Sequence, residues 1–180
     1  IAAYKTAELV RSFKKLGANV QVIQTHSSLD FITSLTLSTL SNNPVLTEMV
    51  DDKDVWNNHV KLALWADLMV IAPVTAKTMS KMVKGECDNL LLATYLSSKC
   101  IVYFAPAMDV DMFKHPSTRQ NISELQKFGN ILIPSGFGEL ASGLVGEGRM
   151  AEPLEIIESI KIDINKRLPL SNKFFLITAG

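Results

Sequence analysis

Two continuous apolar runs, Asp67-Leu-Met-Val-Ile-Ala-Pro73 and Cys100-Ile-Val-Tyr-Phe-Ala-Pro106, constrain the fold more than any other feature of the chain. A strand that is apolar at every position is covered on both faces, which requires helices on both sides of a mostly parallel sheet. Parallel neighbours need long crossovers, and residues 74–84 and 88–96 supply two helix-length segments between these runs. The same alternation runs through the rest of the chain. Residues 2–16 carry Ala3, Ala7, Val10, Phe13 and Leu16 at helical spacing, with Gly17 as the stop. Residues 19–24 read as a strand, and 28–41 as mostly helical with Phe31, Leu35 and Leu40 on the apolar side. A helix over 117–128 closed by Gly129, a strand over 130–134 and a helix over 152–167 complete the pattern. The expectation is an α/β three-layer sandwich around a parallel sheet.

A doubly wound domain needs a strand ahead of its first helix. Residues 173–180 read as an apolar strand running into a glycine turn, the usual start of another unit. The expected organisation is therefore one domain over residues 1–168 without its first strand, then a linker and the start of a second domain over 169–180.

Charge narrows the partners. Eighteen Lys and Arg balance eighteen Asp and Glu, so no net positive field gathers nucleic acid or an acidic membrane surface. No apolar run has membrane-spanning length. Cys87 and Cys100 have no second Cys or His at ligand spacing, so the reading is buried, reduced thiols in a cytoplasmic protein and no metal site.

In such a sheet, ligands bind beyond the carboxyl ends of the strands. Three segments lie there: Thr25-His26-Ser27-Ser28, Pro73-Val-Thr-Ala-Lys-Thr78 and Pro106-Ala-Met-Asp-Val-Asp-Met-Phe113. The first two put hydroxyls and amides at helix starts, which suits an anion and equally suits plain N-capping. The third, with two methionines and two aspartates between prolines, reads as a structured loop with an adaptable surface. Residues 136–153 hold five of the nine glycines, too many for a regular element, and read as a surface loop or a substrate lid. Of three histidines, His59 opens a helix-like stretch before the most hydrophobic strand, where it is either structural or an acid–base group.

Ile1-Ala-Ala-Tyr-Lys5, His59 through Asp67, Ala72-Pro-Val-Thr-Ala-Lys-Thr78, Pro106-Ala-Met-Asp-Val-Asp-Met-Phe113 and Gly148-Arg-Met-Ala-Glu-Pro153 occur in the order and spacing of one family. Over essentially its whole length the chain resembles the flavin-dependent cysteine decarboxylases, in particular the phosphopantothenoylcysteine decarboxylase domain of a bifunctional coenzyme A biosynthesis flavoprotein. Leu176-Ile-Thr-Ala-Gly180 is similar to the opening of that protein's phosphopantothenate–cysteine ligase domain. The resemblance implies a flavodoxin-like (Rossmann-like) fold, noncovalent FMN, and homotrimers, sometimes assembled into dodecamers, with active sites between subunits. It implies flavin contacts at Ile1, Thr25, His26, Ser27, Thr75, Ala76, Lys77, Thr78 and Ala107. It makes His59 the base and places Asp109, Met112 and Ala141 around the substrate, with Ser142 in the flap at the proton-donor position. The implied reaction converts 4′-phosphopantothenoyl-L-cysteine to 4′-phosphopantetheine and CO2. It runs by oxidation of the cysteine moiety to a thioaldehyde-like species, decarboxylation, and return of the electrons to the enethiol.

Four residues depart from the family pattern. Asp109 and Lys77 each stand where the family has Asn, and the expectation is a compensating pair of zero net charge, since an ionised Asp repels a substrate carboxylate. Ser142 replaces a Cys, and a hydroxyl is a far weaker acid than a thiol. Water or Glu139 would then donate the last proton, or the enethiol would leave, as in the related peptide decarboxylases. Leu64 replaces a basic residue, for which Lys61 is the substitute at hand. Two other functions accommodate the pattern: oxidative decarboxylation of a peptidyl C-terminal cysteine, favoured by Ser142, and a non-catalytic flavodoxin-like interaction module, opposed by His59.

Overall fold

The computed structural model describes residues 1–51, 54–174 and 176–178. A 3-10 turn, Ala2–Lys5, leads into α1 (Thr6–Lys15), followed by α2 (His26–Leu29), α3 (Ser34–Ser41), α4 (His59–Trp65), β1 (Leu68–Val74), α5 (Ala76–Lys84) and α6 (Leu90–Ser97). Then come β2 (Ile101–Pro106), α7 (Val110–Lys114), α8 (Pro116–Lys127), β3 (Ile131–Leu132), β4 (Gly136–Glu139), β5 (Val145–Arg149) and α9 (Pro153–Arg167).

The two apolar runs are adjacent parallel strands, with Leu68 opposite Ile101, and β3 joins the far side of β2 with Ile131 opposite Tyr103. Successive β2 side chains face opposite layers, as strand geometry requires. Val102 and Phe104 pack with Ile71, Met79, Met82 and Leu125 under α5, α6 and α8. Tyr103 and Ala105 pack with Leu9, Ile156, Ile157 and Ile160 of α1 and α9. Two cores on either side of one sheet explain why β1 and β2 carry no polar face. Truncating a fully buried Phe104 would cost about 3–5 kcal/mol.

Helix ends follow their chemistry. Thr75, Asn58 and Asn89 cap α5, α4 and α6 with side-chain oxygens, and Gly17 and Gly85 turn the chain out of α1 and α5 at φ +85° and +71°. No helix among the described residues is long and apolar enough to cross a membrane.

Six expectations are corrected. Residues 19–24 form no ladder: they make one parallel bridge, Ile23 to Leu46, through the Gln24 amide on the Leu46 carbonyl (2.8 Å) and the Leu46 amide on the Val22 carbonyl (3.0 Å). An open cleft lies between this segment and β1, and no backbone hydrogen bond among the described residues crosses it. Residues 28–41 break into α2 and α3, and the inward residue is Leu37, while Leu35 is 75% exposed. The expected loop at 106–113 turns helical at α7. The glycine-rich stretch contains an antiparallel hairpin, β4 with β5, whose register shifts between Gly136 and Phe137, and its glycines permit close approach to α7. Cys87 is exposed, not buried, and Cys100 is half-buried. The expected strand at 173–180 is absent from residues 173, 174 and 176–178, which are irregular, and Phe175, Ala179 and Gly180 lie outside the described residues.

Candidate functional site

A cavity of about 980 Å³ opens between residues 20–24 and β1 and reaches the carboxyl ends of these segments. Of the nine residues expected to contact a flavin, Ile1, Thr25, His26, Ser27, Thr75, Lys77 and Thr78 line it, and Ala76 and Ala107 do not. Each arrives there for a local reason. The 3-10 turn brings Ile1 to the rim, and strand ends deliver the other two groups to helix starts. Thr75 Oγ1 accepts from the Thr78 amide (3.2 Å) and lies 3.1 Å from Thr78 Oγ1, so both hydroxyls sit on the first turn of α5. Ser28 Oγ donates to the Thr25 carbonyl (2.6 Å), which tightens the 25–28 turn.

The charges at the rim are arranged unequally. Lys81 is hydrogen-bonded to Asp88 and lies near Glu86, and these contacts raise its pKa above the ordinary lysine value. The same hydrogen bond holds Asp88 below the usual carboxylate range, with Lys77 adding a weaker pull. Lys77 itself is exposed and forms no ion pair among the described residues. His26 Nε2 faces the buried Glu48 Oε1 across the opposite rim.

The residues present fit a flavin. Leu9, Phe13, Val70 and Ala72 give apolar walls for a flat ring system. Hydroxyls at two helix starts, with Lys77 beside them, suit a phosphate-bearing tail. Sequence reasoning missed Glu48, Lys81, Asp88 and Asn89 in this lining. Glu48 lies in irregular chain with no pattern to read, whereas Asp88-Asn89 before an apolar run carried a legible N-cap signal.

The residues expected around the substrate lie outside the cavity lining. His59 opens α4, edge-on to Trp56 (6.2 Å between ring centroids), and its Nδ1 is buried without a hydrogen-bond partner among the described residues. Beyond it Val60 and Leu64 are exposed, Leu64 by 61%, and Lys61 is exposed as well. Asp109 holds the N-cap position of α7 without a side-chain capping bond, and Met112 is half exposed on that helix. Ala141 and Ser142 form the hairpin tip, where Ser142 Oγ accepts from the Leu144 amide (3.4 Å). The hairpin stands on the 106–113 segment through the Met108 amide, which donates to the Gly148 carbonyl (3.0 Å).

So Asp109, Met112 and the hairpin share one region, and no hydrogen bond or ion pair among the described residues joins them to His59. Lys77 acts on Asp88, and no ion pair among the described residues links it to Asp109, so any charge compensation between Lys77 and Asp109 does not run through a direct contact within one chain. Nor do three His, Cys, Asp or Glu side chains converge as metal ligands among the described residues.

Comparison with known proteins places this geometry. Residues 1–165 match the family described as Flavoprotein. A cysteine/cysteine sulfinic acid decarboxylase from an unknown prokaryotic organism is 52% identical over 83% of this chain and 43% of its own length. The coenzyme A biosynthesis bifunctional protein CoaBC of Bacillus subtilis is 38% identical over the whole chain and 45% of its own length. The chain thus spans less than half the length of these curated relatives. Among solved structures, a Cys-to-Ser mutant of PPC decarboxylase complexed with pantothenoylaminoethenethiol aligns with a TM-score of 0.79 at 33% identity, covering 91% of this chain and 92% of that one.

Proposed function

The chain belongs to the flavoprotein family, and from that premise we propose that it is an FMN-dependent decarboxylase of 4′-phosphopantothenoyl-L-cysteine, acting in coenzyme A biosynthesis. The observation that carries this reading is the gathering of seven expected flavin-contact residues on one cleft at the strand ends, in a chain 38% identical throughout to a coenzyme A biosynthesis protein. FMN, with its single phosphate, matches the hydroxyls of Thr25, Ser27, Thr75 and Thr78 and the Lys77 ammonium. The bound flavin would supply a two-electron oxidation of the cysteine moiety, which turns its sulfur into an electron sink for decarboxylation, and the electrons for the later reduction.

The chain's own groups do the rest. His59 takes the proton from the substrate through the imidazole nitrogen opposite its buried Nδ1. Asp109 and Met112 bound the substrate, and the hairpin carrying Ala141 and Ser142 closes over it and excludes water. His59 and these groups lie apart within one chain, which supports active sites shared between subunits of a homotrimer, itself able to form a dodecamer. The exposed Val60 and Leu64 of α4, with the exposed Trp56 just before that helix, supply apolar surface beside His59 for such an interface.

A second reading is favoured by one observation: the relative at 52% identity is a cysteine/cysteine sulfinic acid decarboxylase, so free cysteine or its sulfinic acid is the alternative substrate. Leu64, apolar where a phosphate-bearing substrate would want a cation, agrees with it. Incubating the flavin-loaded protein with each compound and weighing the products decides. Loss of CO2 from phosphopantothenoylcysteine alone establishes the first reading. Loss from free cysteine or the sulfinic acid alone establishes the second, and turnover of none overturns both.

A further inference from the structure

We infer that Arg119 of α8 is a positioning residue that ties the β4–β5 hairpin to α7 and so sets where Ala141 and Ser142 stand; its catalytic consequence rests on the decarboxylase reading above. The guanidinium lies over the Phe113 ring, 4.3 Å from its centroid, and Nη2 donates to Glu147 Oε2 across 3.1 Å. Phe113 is buried in the core, so one end of this bridge is rigid. Glu147 lies on β5 opposite Phe137, so the other end is the hairpin itself. Arg119 stands on the first turn of α8, next to the buried Thr118, with its own amide bonded to the His115 carbonyl (3.1 Å).

The rest of the hairpin's attachment is local to its base. The Met108–Gly148 hydrogen bond and the Val110–Gly146 approach hold residues 146–148 against the start of α7. Arg149 serves the hairpin internally, through the Glu139 carbonyl (3.0 Å), and pairs with Glu152 (3.7 Å). Among the described residues, Arg119–Glu147 is the ion pair that joins the hairpin to α8. Glu147 stands between Gly146 and Gly148, so the Arg119 contact adds a bond to α8 beside the two contacts with the start of α7, and its loss leaves the hairpin held from that one side. From Glu147 to Leu144, where the chain turns, the extended strand runs roughly 10 Å, so a swing of about 6° moves the tip by about 1 Å. A displacement of about 1 Å is enough to lower a rate by up to about a hundredfold.

The exposed half of the bridge is weak and screened by salt, whereas stacking on Phe113 adds a contact that salt does not remove. Lys has the charge but not the planar fork that stacks and donates at once. Three variants therefore grade the device: Arg119→Ala, Arg119→Lys and Glu147→Gln. The readouts are amide hydrogen exchange, the spectrum of bound flavin, and kcat and KM on whichever cysteine-derived acid the protein turns over. Arg119→Ala is expected to speed exchange across residues 136–149 about tenfold while residues 120–127 of α8 keep their protection. It lowers kcat by about tenfold or more, leaves KM within about twofold and leaves the flavin spectrum unchanged, with Lys and Gln variants intermediate.

Unchanged hairpin exchange in the three variants overturns the inference. So does a fall in kcat that tracks flavin loss, which would mark a structural role. If Arg119→Ala fails to fold, Arg119→Lys and Glu147→Gln decide by the same criteria. If the unsubstituted protein turns over no cysteine-derived acid, the decarboxylase reading fails, and hairpin exchange alone still decides whether Arg119 holds the flap.

Discussion

The Met108 amide donates to the Gly148 carbonyl across 3.0 Å, and a Cβ on Gly148 would overlap the Met108 carbonyl oxygen. This one approach joins the segment after β2 to the hairpin, at a position whose φ of +138° also suits glycine. Gly146, one hairpin residue away on the same face, stands equally close to the Val110 side chain. The two glycines differ in what they touch, and that difference is testable.

At Gly148 the obstacle is backbone, which has no room to yield, while at Gly146 it is one methyl of Val110. Both Gly148→Ala and Gly146→Ala should destabilise by about 1–3 kcal/mol, a fall in Tm of about 2–4 °C for each kcal/mol. Adding Val110→Ala should recover part of the loss at Gly146 and none at Gly148. Thermal unfolding of the six proteins, the unsubstituted chain and the Val110→Ala single variant included, checks this, and equal rescue at both positions would contradict it.

Tyr103, fully buried on β2, donates its hydroxyl to Asp163 of α9 across 2.7 Å, and Arg167 holds the same carboxylate at 2.7 and 3.1 Å. Burial, reinforced by Asp163, pushes the phenol up to about 12. An unfolded chain releases that proton near the ordinary value of about 10, so this contribution is intact below about pH 10 and is lost as pH rises toward 12. Tyr103→Phe should cost about 1 kcal/mol at neutral pH and flatten the alkaline loss. Urea unfolding at pH 8, 10 and 11 reads the difference, and parallel curves for the two proteins would refute it. On the acid side Arg167, more than Tyr103, holds Asp163 low, so stability lost as pH falls through the carboxylate range should persist in the Phe variant.

Lys5 is only 8% exposed, yet its Nζ donates to the Met150 carbonyl (3.2 Å) and to Glu152 (2.6 Å) at the start of α9. This bridge fixes the turn that presents Ile1 to the cleft. Lys5→Met keeps the apolar stem and leaves the Met150 carbonyl without its donor, at a cost of about 1–3 kcal/mol, whereas the half-exposed Glu152 rehydrates. Melting with and without added FMN should show a lower Tm in both cases and a weaker shift on FMN addition. An unchanged shift would mean that Ile1 does not depend on this bridge.

What could be read from the sequence follows how each signal arises. β1 and β2 were legible because burial on both faces leaves no polar residue in either run, and the strand-end rule then pointed to Thr25, Thr75 and Thr78 on the cleft. The hairpin was not legible, since its glycines answer to contacts with Met108 and Val110 that lie far off in the chain. Residues 19–24 have strand character, but a ladder depends on neighbours, and Leu46 supplies one bridge. The nearness of Lys77 to Asp88 was not legible for the same reason: charge balance can be counted in a sequence, but Asp88 comes to Lys77 through the packing of α5 against α6.

Ser142 concentrates the remaining chemistry. On the proposed reaction, the enethiol left by decarboxylation needs a hydride, which carries two electrons and one hydrogen, and a separate proton to become the saturated thiol. Ser142 Oγ at the hairpin tip accepts from the Leu144 amide, an arrangement that leaves its own hydrogen free. A thiol with an ordinary pKa of about 8.5 gives up its proton far more readily than an aliphatic hydroxyl. Ser142→Cys should therefore raise the ratio of saturated to enethiol product by about a hundredfold, the usual scale for a placed general acid. Product masses that differ by two hydrogens report that ratio directly. An unchanged ratio would move the donor elsewhere, and Glu139→Gln then becomes the informative variant: Glu139 leaves β4 three residues before the tip, and its loss should lower the saturated fraction if its carboxyl supplies the proton.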